Sequence, residues 1–545
     1  MMRYCLLENW VKLPNRANLG NDSCKASHPR GPIYYLSFII YHLLFVLMLA
    51  ACSHTATVPT SFAETQDSLV IYPDYRDVTI PPNIAPLNFM VIDSIATEYV
   101  VSVGDLVCGA GKDGKIDMDS VAWRKTLTEA KGGSLAVNVY ARRSNGWVHY
   151  APFTLYVAEE DIDPYLSYRL IEPGYEVYFQ LGIYERNLTN FDVKTIYEND
   201  RDIKNGESHC INCHQFQNYD TQRMYLHVRE NHKGTIVTNG KEAHKIIIKH
   251  DSIIASGAYG GWHPTLPLVA FSSNKTAQFF HYHFPEKIEV YDGESDIILY
   301  DAEHNTVRNI LRTPDYFETF PNWSADGTRL FYCVARLPKF DYEQGNYNDY
   351  EAKLVMRYDS LLYDLYSLPF DTVTYTFGEP RLEVEASAEN RSASVPRISP
   401  DGHYLLYALA RCGQFHLYHK DADLWVKDLT KEYDSEKPSV NSYPLTATNS
   451  PNVDSYHAWS SNGRWMVISS RRDDGDFTRT YIAYFDKQGQ GHRAFLLPQR
   501  DPEYNLLLLK SYNVPELTKN PVQISTEQFK HIIYHTEADL ATFEE

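Results

Sequence analysis

Cys210, Ile211, Asn212, Cys213 and His214 form a C-x-x-C-H run inside the segment S-H-C-I-N-C-H-Q-F. Two thiols at this spacing can add to the two vinyl groups on one edge of a heme, and the histidine that follows is carried beneath the ring to ligate iron. The run predicts one covalently bound heme c, attached through Cys210 and Cys213 with His214 as the proximal ligand. Two other readings stay open. Zinc could be ligated here with the help of His209, although a structural zinc site usually draws its ligand pairs from two chain segments. A bare redox pair would need a βαβ setting, which the flanking sequence lacks. For the second axial position the expectation is Met224, a short turn beyond His214 in T-Q-R-M-Y-L-H-V, with His227 as the alternative. Thioether ligation would raise the potential and suit electron transfer, whereas histidine would lower it.

Heme attachment of this kind takes place outside the cytoplasm, and the N-terminus carries an export signal. Ile33 to Ala51 reads I-Y-Y-L-S-F-I-I-Y-H-L-L-F-V-L-M-L-A-A, follows Arg30 and stops at Cys52. By length alone it could also be an uncleaved transmembrane anchor. Leu49-Ala50-Ala51-Cys52 resembles the lipobox of bacterial lipoproteins, in which the cysteine is acylated and everything before it is removed. The resemblance implies a signal peptide over residues 1–51, lipidation of Cys52, and membrane attachment through two acyl chains. Ser53 in place of aspartate implies, by the same analogy, the outer membrane facing the periplasm. Residues 52–67 read as a polar tether.

The elements that must position the C-x-x-C-H run are expected to be mostly strands. Aromatic residues make up 14% of the chain, with 42 tyrosines, a composition that suits β-structure and excludes disorder. Over residues 68–200, short segments alternate apolar and polar side chains (Asn88 to Ile92, Tyr99 to Val103, Ser134 to Ala141, Phe153 to Val157), and Ser144-Asn145-Gly146 marks a hairpin. These predict a β-sandwich-like domain. Asp113, Asp117 and Asp119 lack the spacing of a calcium loop and read as a solvated turn. Asp192 to Asn199 reads as a short helix leading into a short helical heme-bearing segment over 201–230. Cys108, Cys333 and Cys412 read as small buried apolar residues.

Four segments in the second half align: Trp262 to Phe271, Trp323 to Tyr332, Ile398 to Tyr407 and Trp459 to Ile468. Three of them carry Asp-Gly or Asn-Gly turns ending at Gly327, Gly402 and Gly463; the first has Leu266 where glycine is expected. Each is followed by a later strand: Asp296 to Asp301, Asp364 to Leu368, Asp423 to Asp428 and Tyr481 to Asp486. Periodicity of this kind marks a radial array of blades. The W-S-x-D-G turn with an aspartate-ended partner strand resembles TolB-type β-propellers, which implies a propeller of five or six blades over 231–530, a tail over 531–545, and a protein partner docked on the propeller. The fold class expected is therefore all-β. In the repeats the tryptophans read as inter-blade packing rather than a cofactor box, and His263 as a turn residue.

The balance of 51 Lys plus Arg against 70 Asp plus Glu, with no basic cluster, excludes nucleic acid as a partner. No G-x-S-x-G occurs, which argues against a hydrolase. The function expected is a membrane-anchored envelope cytochrome that transfers electrons to a partner docked on the propeller. The alternatives are a TolB-like protein- or peptide-binding lipoprotein whose heme is structural or a sensor, and a cofactor enzyme of the nitrite-reductase or quinoprotein kind, for which the tryptophan docking repeats are missing.

Overall fold

The computed structural model describes residues 56–172, 181–199, 209–280, 288–337 and 347–545. Cys52, the apolar run before it and most of Phe340 to Tyr350, an acidic, tyrosine-rich stretch whose composition reads as a solvated insertion between blade strands, lie outside these. Among the described residues no helix is long and apolar enough to cross a membrane.

The chain is all-β, and its larger part is a β-propeller. Blade 2 is His209–Gln217, Asp220–Glu230, Gly234–Asn239 and Glu242–Ile247; blade 3 is Gly257–Trp262, Leu268–Phe280, Ile288–Asp301 and Thr306–Leu311. Blade 4 is Tyr316–Trp323, Arg329–Arg336, Tyr363–Pro369 and Arg381–Val384. Blade 5 is Ser392–Ile398, Tyr404–Ala410, Asp423–Asp428 and Ser442–Pro444, and blade 6 is Asp454–Trp459, Trp465–Ser470, Arg479–Tyr484 and Phe495–Leu496. Blade 1 is composite. Tyr165–Ile171, Gly182–Asn187 and Val193–Glu198 are completed by Ser511–Thr518, which pairs antiparallel to Tyr165–Ile171 as the innermost strand. The innermost strands pack on one another in sequence from blade 2 to blade 6, and Ser511–Thr518 touches both blade 6 and blade 2, so the ring closes with chain from its two ends. The innermost strand of each blade then has only a short, protected edge, turned to the channel.

Residues 165–198, expected in the first domain, thus belong to the propeller. The Asp192 to Asn199 segment is a strand, because Val193–Glu198 pairs with Gly182–Asn187 and buries Ile196 and Tyr197. The helical setting expected for Cys210–His214 is also replaced: His209–Gln217 is an inner strand. Its Ile211 and Phe216 lie opposite Val228 and Met224, and Asn218 and Tyr219, both at positive φ, make a two-residue hairpin turn.

The N-terminal domain has a seven-stranded mixed sheet that includes Glu98–Val103, Ser134–Arg143 and Phe153–Val157, and a small sheet of Ile71–Tyr72, Phe89–Val91 and Lys115–Ile116. Asp119 caps the helix Ser120–Glu129 by accepting the N–H groups of Val121 and Ala122, while Trp123 and Leu127, one turn apart, fill the core. One apolar cluster runs from this domain (Tyr75, Val101, Trp123) into blade 6 (Trp465, Ile468, Phe495). At the chain end, the helix Thr526–His535 buries Phe529 and Ile533 against Ile183, Ile211 and Met224. Asp539–Leu540 and Thr542–Phe543 then add parallel outer strands to blades 2 and 3, so the expected tail is part of the sheet system.

Candidate functional site

The inner strands share one irregularity. Each has a bulge at a non-glycine residue of positive φ: Val514 (48°), Cys213 (46°), Tyr259 (44°), Phe320 (51°), Val395 (52°) and Tyr456 (49°), for blades 1 to 6 in turn. The ladder register shifts at all six. A left-handed conformation at valine or phenylalanine is costly, and its recurrence shows that the ring demands it. The residue after the bulge is Pro515, His214, Gly260, Pro321, Pro396 or His457. Two after it come Glu516, Gln215, Gly261, Asn322, Arg397 and Ala458, and three after it Leu517, Phe216, Trp262, Trp323, Ile398 and Trp459.

These positions have fixed jobs. The Trp323 indole donates to the Gly261 carbonyl (3.0 Å) and the Trp459 indole to the Arg397 carbonyl (3.1 Å), each bridging to the preceding blade. That bears out the packing role expected of the tryptophans. His263 is held in its turn: Nδ1 accepts from the N–H groups of Thr265 and Leu266, the job that the Ser324, Ser399 and Ser460 hydroxyls do for the strands that follow them.

The C-x-x-C-H run is superimposed on this repeat. Cys213 is the bulge residue of blade 2 and packs toward blade 3 with Tyr225, Trp262 and Phe271. His214, 2% exposed, turns the other way, with its ring 5.9 Å from that of Phe216, which belongs to the cluster shared with blade 1. Burial and the Arg169 guanidinium push its pKa down to about 3; the Ser167 backbone is near enough to oppose the shift, although neither ring nitrogen reaches a partner in hydrogen-bond geometry. Cys210 is half-buried beside Ile211 and Val228 in the blade 1–2 cluster, with its thiol pushed up by burial. Met224 is fully buried among Ile183, Phe216 and Phe529, whereas His227 lies on the blade 3 side, 5.4 Å from Phe271, with Nδ1 2.8 Å from the Thr235 hydroxyl. Burial pushes the His227 pKa down to about 3 as well.

The donor set suits heme c, but its arrangement does not. Cys213 and His214 face opposite sides of blade 2, and the cavity beside them, lined also by Tyr259, Tyr456 and Val514, measures about 20 Å³, which is room for about one water. No described group of three His, Cys, Asp or Glu side chains could hold a metal ion. Cys108, Cys333 and Cys412 are free and buried.

The larger cavity in the channel opens at the end where the W-S-x-D-G turns lie. It measures about 140 Å³, and Gln215, Tyr219, Asn322, Arg397 and Glu516 line it under a rim of Ser324, Ala325, Ser399 and Pro400. The N-terminal domain covers the blade 6 part of this rim: Asp163 accepts from the Ser461 N–H (2.6 Å) and hydroxyl (2.7 Å). This mouth is the feature that the sequence motifs did not disclose. The signal was present in the spacing that the six inner strands share, with Trp262, Trp323, Trp459, Phe216, Ile398 or Leu517 three residues past the bulge, which sets the residues just before them at one level of the channel.

A scan against protein-family models finds no match, and a search of curated protein sequences finds none either. Solved structures similar to the chain include TolB from Acinetobacter baumannii, at 12% identity over 70% of this chain and 78% of that one, with a TM-score of 0.38. An oligogalacturonate lyase in complex with manganese aligns at 13% identity over 57% of this chain and 70% of the other (TM-score 0.32). The β-propeller domain of Myceliophteria thermophila Cps50 (Swd1) aligns at 8% identity over 71% and 96% (TM-score 0.28).

Proposed function

We propose that the protein is an envelope-attached β-propeller that binds a protein or peptide segment across the channel mouth. The observation that carries this reading is the rim of Ser324, Ala325, Ser399 and Pro400 around a polar-walled cavity in a ring that closes between the two ends of the chain. Concave sites with a few convergent polar groups are where propellers and other rigid scaffolds take ligands. A photo-crosslinking residue at Ala325 should form one adduct of defined mass in cells, while the same residue at Val373, 88% exposed in the blade 4 turn, should not. Equal labelling from both positions would remove the reading. Attachment through a lipidated Cys52 belongs to it: Cys52→Ala should abolish incorporation of labelled palmitate, and unchanged incorporation would rule the anchor out.

A second reading, covalent heme on Cys210 and Cys213 with electron transfer as the role, is favoured by the two free thiols and by the buried His214 ring without a hydrogen-bond partner. It requires the His209–Gln217 strand to leave its place in blade 2, so that His214 and both thiols meet one heme. Intact mass after expression with a heme-maturation system decides it. A heme increment that is lost in Cys213→Ala supports this reading, and its absence from the wild type removes it.

A further inference from the structure

We propose that the side chains two residues past the bulges form a carboxylate-binding site at the floor of the channel mouth. From blade 2 round to blade 1 this level reads Gln215, Gly261, Asn322, Arg397, Ala458 and Glu516. The two small residues stand three blades apart: Ala458 lines the 140 Å³ cavity together with the four long side chains, whereas Gly261 lets the Pro321 carbonyl of blade 4 approach, 2.6 Å from where a Cβ would stand.

Hydrogen-bond accounting shows what this space would hold. Gln215 Oε1 accepts the Trp262 N–H and Asn322 Oδ1 accepts the Ile398 N–H, both at 3.0 Å. These backbone donors fix the orientation of both amides, and leave both NH2 groups with no acceptor among the described residues. Arg397 makes one hydrogen bond, from Nη1 to the Pro396 carbonyl at 3.0 Å, and no described carboxylate forms an ion pair with it. Glu516 Oε2 accepts the Phe216 N–H at 3.2 Å, and burial, opposed by the Arg397 guanidinium, pushes its carboxyl up to about 8, with the Tyr219, Tyr225 and Tyr456 phenols as its other titratable neighbours; at neutral pH it brings a fourth donor rather than a charge. The acidic groups nearest the mouth are engaged elsewhere. Asp163 is bound to Ser461, while Asp401 accepts from Ser399 and lies 3.5 Å from Arg464. Two amide NH2 groups, the rest of a guanidinium that spends one N–H on its own backbone, and a carboxyl converge on the cavity at the mouth. A planar carboxylate supplies the missing lone pairs and takes Arg397 in a paired geometry.

The inference deepens the reading of the mouth as a peptide site: the segment bound there carries an acidic side chain or a free C-terminal carboxylate into the channel. Three peptides distinguish these sources when titrated by calorimetry into the full mature chain at pH 6.5: acetyl-Gly-Gly-Asp-amide, acetyl-Gly-Gly-Gly with a free carboxylate, and acetyl-Gly-Gly-Gly-amide. At least one carboxylate peptide should bind and the amide should not. Arg397→Gln should weaken binding about tenfold or more, as loss of a charged hydrogen-bond partner does, with Arg397→Lys recovering part of it. Glu516→Gln keeps a donor at that place, so it should bind as well at pH 9 as at pH 6.5, whereas the wild type loses affinity as Glu516 ionises. This second variant decides the matter if Arg397→Gln fails to fold. No binding of either carboxylate by the wild type at millimolar concentration, equal binding by Arg397→Gln, or a flat wild-type profile from pH 6.5 to 9 would each overturn the site. A crosslinked partner at Ala325 together with failed titrations would leave the docking function standing and remove only this inference.

Discussion

His214 and His457 occupy the same position in blades 2 and 6: each follows the positive-φ bulge residue of an inner strand and faces the second strand of the preceding blade. His457 Nε2 is 3.4 Å from the Leu406 carbonyl in blade 5, and the matching backbone beside His214 is Ser167 in blade 1. Both rings are pushed down to about 3 by burial. His457 has no C-x-x-C before it, so a histidine at this place is accounted for by inter-blade packing alone.

The equivalence makes a direct prediction for His214→Pro. Blades 1, 4 and 5 carry Pro515, Pro321 and Pro396 there, outside the ladder register, so those blades do not use this N–H and proline φ fits; in blade 2 His214 stands opposite Leu226. The variant should still fold, at a cost of about 1 to 3 kcal/mol in urea unfolding for the buried ring it loses. The same substitution at Leu226, inside the second strand of blade 2, should cost about 3 kcal/mol or more. Loss of folding in His214→Pro would refute the repeat.

How much of this was legible in the sequence depends on which residues announce themselves locally. The D-G and N-G turns did, because Gly327, Gly402 and Gly463 must adopt positive φ wherever the blades lie. The later strands did as well: Asp423–Asp428 matches the expected bounds, and Tyr363–Pro369 and Arg479–Tyr484 nearly so. Blade 1 was hidden, since its inner strand comes from Ser511–Thr518 and no local pattern records a pairing across most of the chain. The helix Ser120–Glu129 was readable from Asp119 and the Trp123–Leu127 spacing, and the acidic cluster drew attention from it. Cys210–His214 was read by a motif that is indifferent to secondary structure. The strand follows from cross-strand partners such as Val228 and Met224, which a local window does not weigh.

Stability should peak near pH 6. Burial pushes His214, His227, His416 and His457 down to about 3 and His263 down to about 4, so the unfolded chain binds more protons and stability falls as pH drops below 6.5. The buried carboxyls act in the opposite sense. Asp296 and Asp423 are pushed up to about 6, Asp292 to about 7, and Glu318 and Glu516 to about 8, so each stabilises the fold below its unfolded pKa and loses that contribution as pH rises through the folded one. Between pH 4.5 and 6 the two sets oppose each other. Above 6.5 only the carboxyls remain, at up to about 1.4 kcal/mol per pH unit for each group still titrating. Urea midpoints at pH 5, 6, 7 and 8 test the balance, and a midpoint that rises from pH 6.5 to 8 would contradict it.

The last prediction separates two costs at equivalent turn glycines. Gly402 has φ +76°, and a Cβ placed on it would meet only the Ala325 methyl at 3.9 Å. A side chain there pays for backbone conformation alone, so Gly402→Ala should cost on the order of 1 kcal/mol and the β-branched Gly402→Val about 1 to 3. Gly327 has nearly the same φ, +74°, but a Cβ would lie 2.3 Å from His263 Nε2, the atom that sits 3.1 Å from the Gly327 carbonyl. Gly327→Ala must therefore displace a ring packed against Trp323 and Phe370, at centroid distances of 4.8 and 5.8 Å. It should cost about 1 to 3 kcal/mol more than Gly402→Ala, as overpacking does. The two parts can be told apart by a double-mutant cycle. In a His263→Ala background the clash is gone, so Gly327→Ala should fall back to the cost seen at Gly402, whereas additive effects would show that the ring is not what Gly327 makes room for.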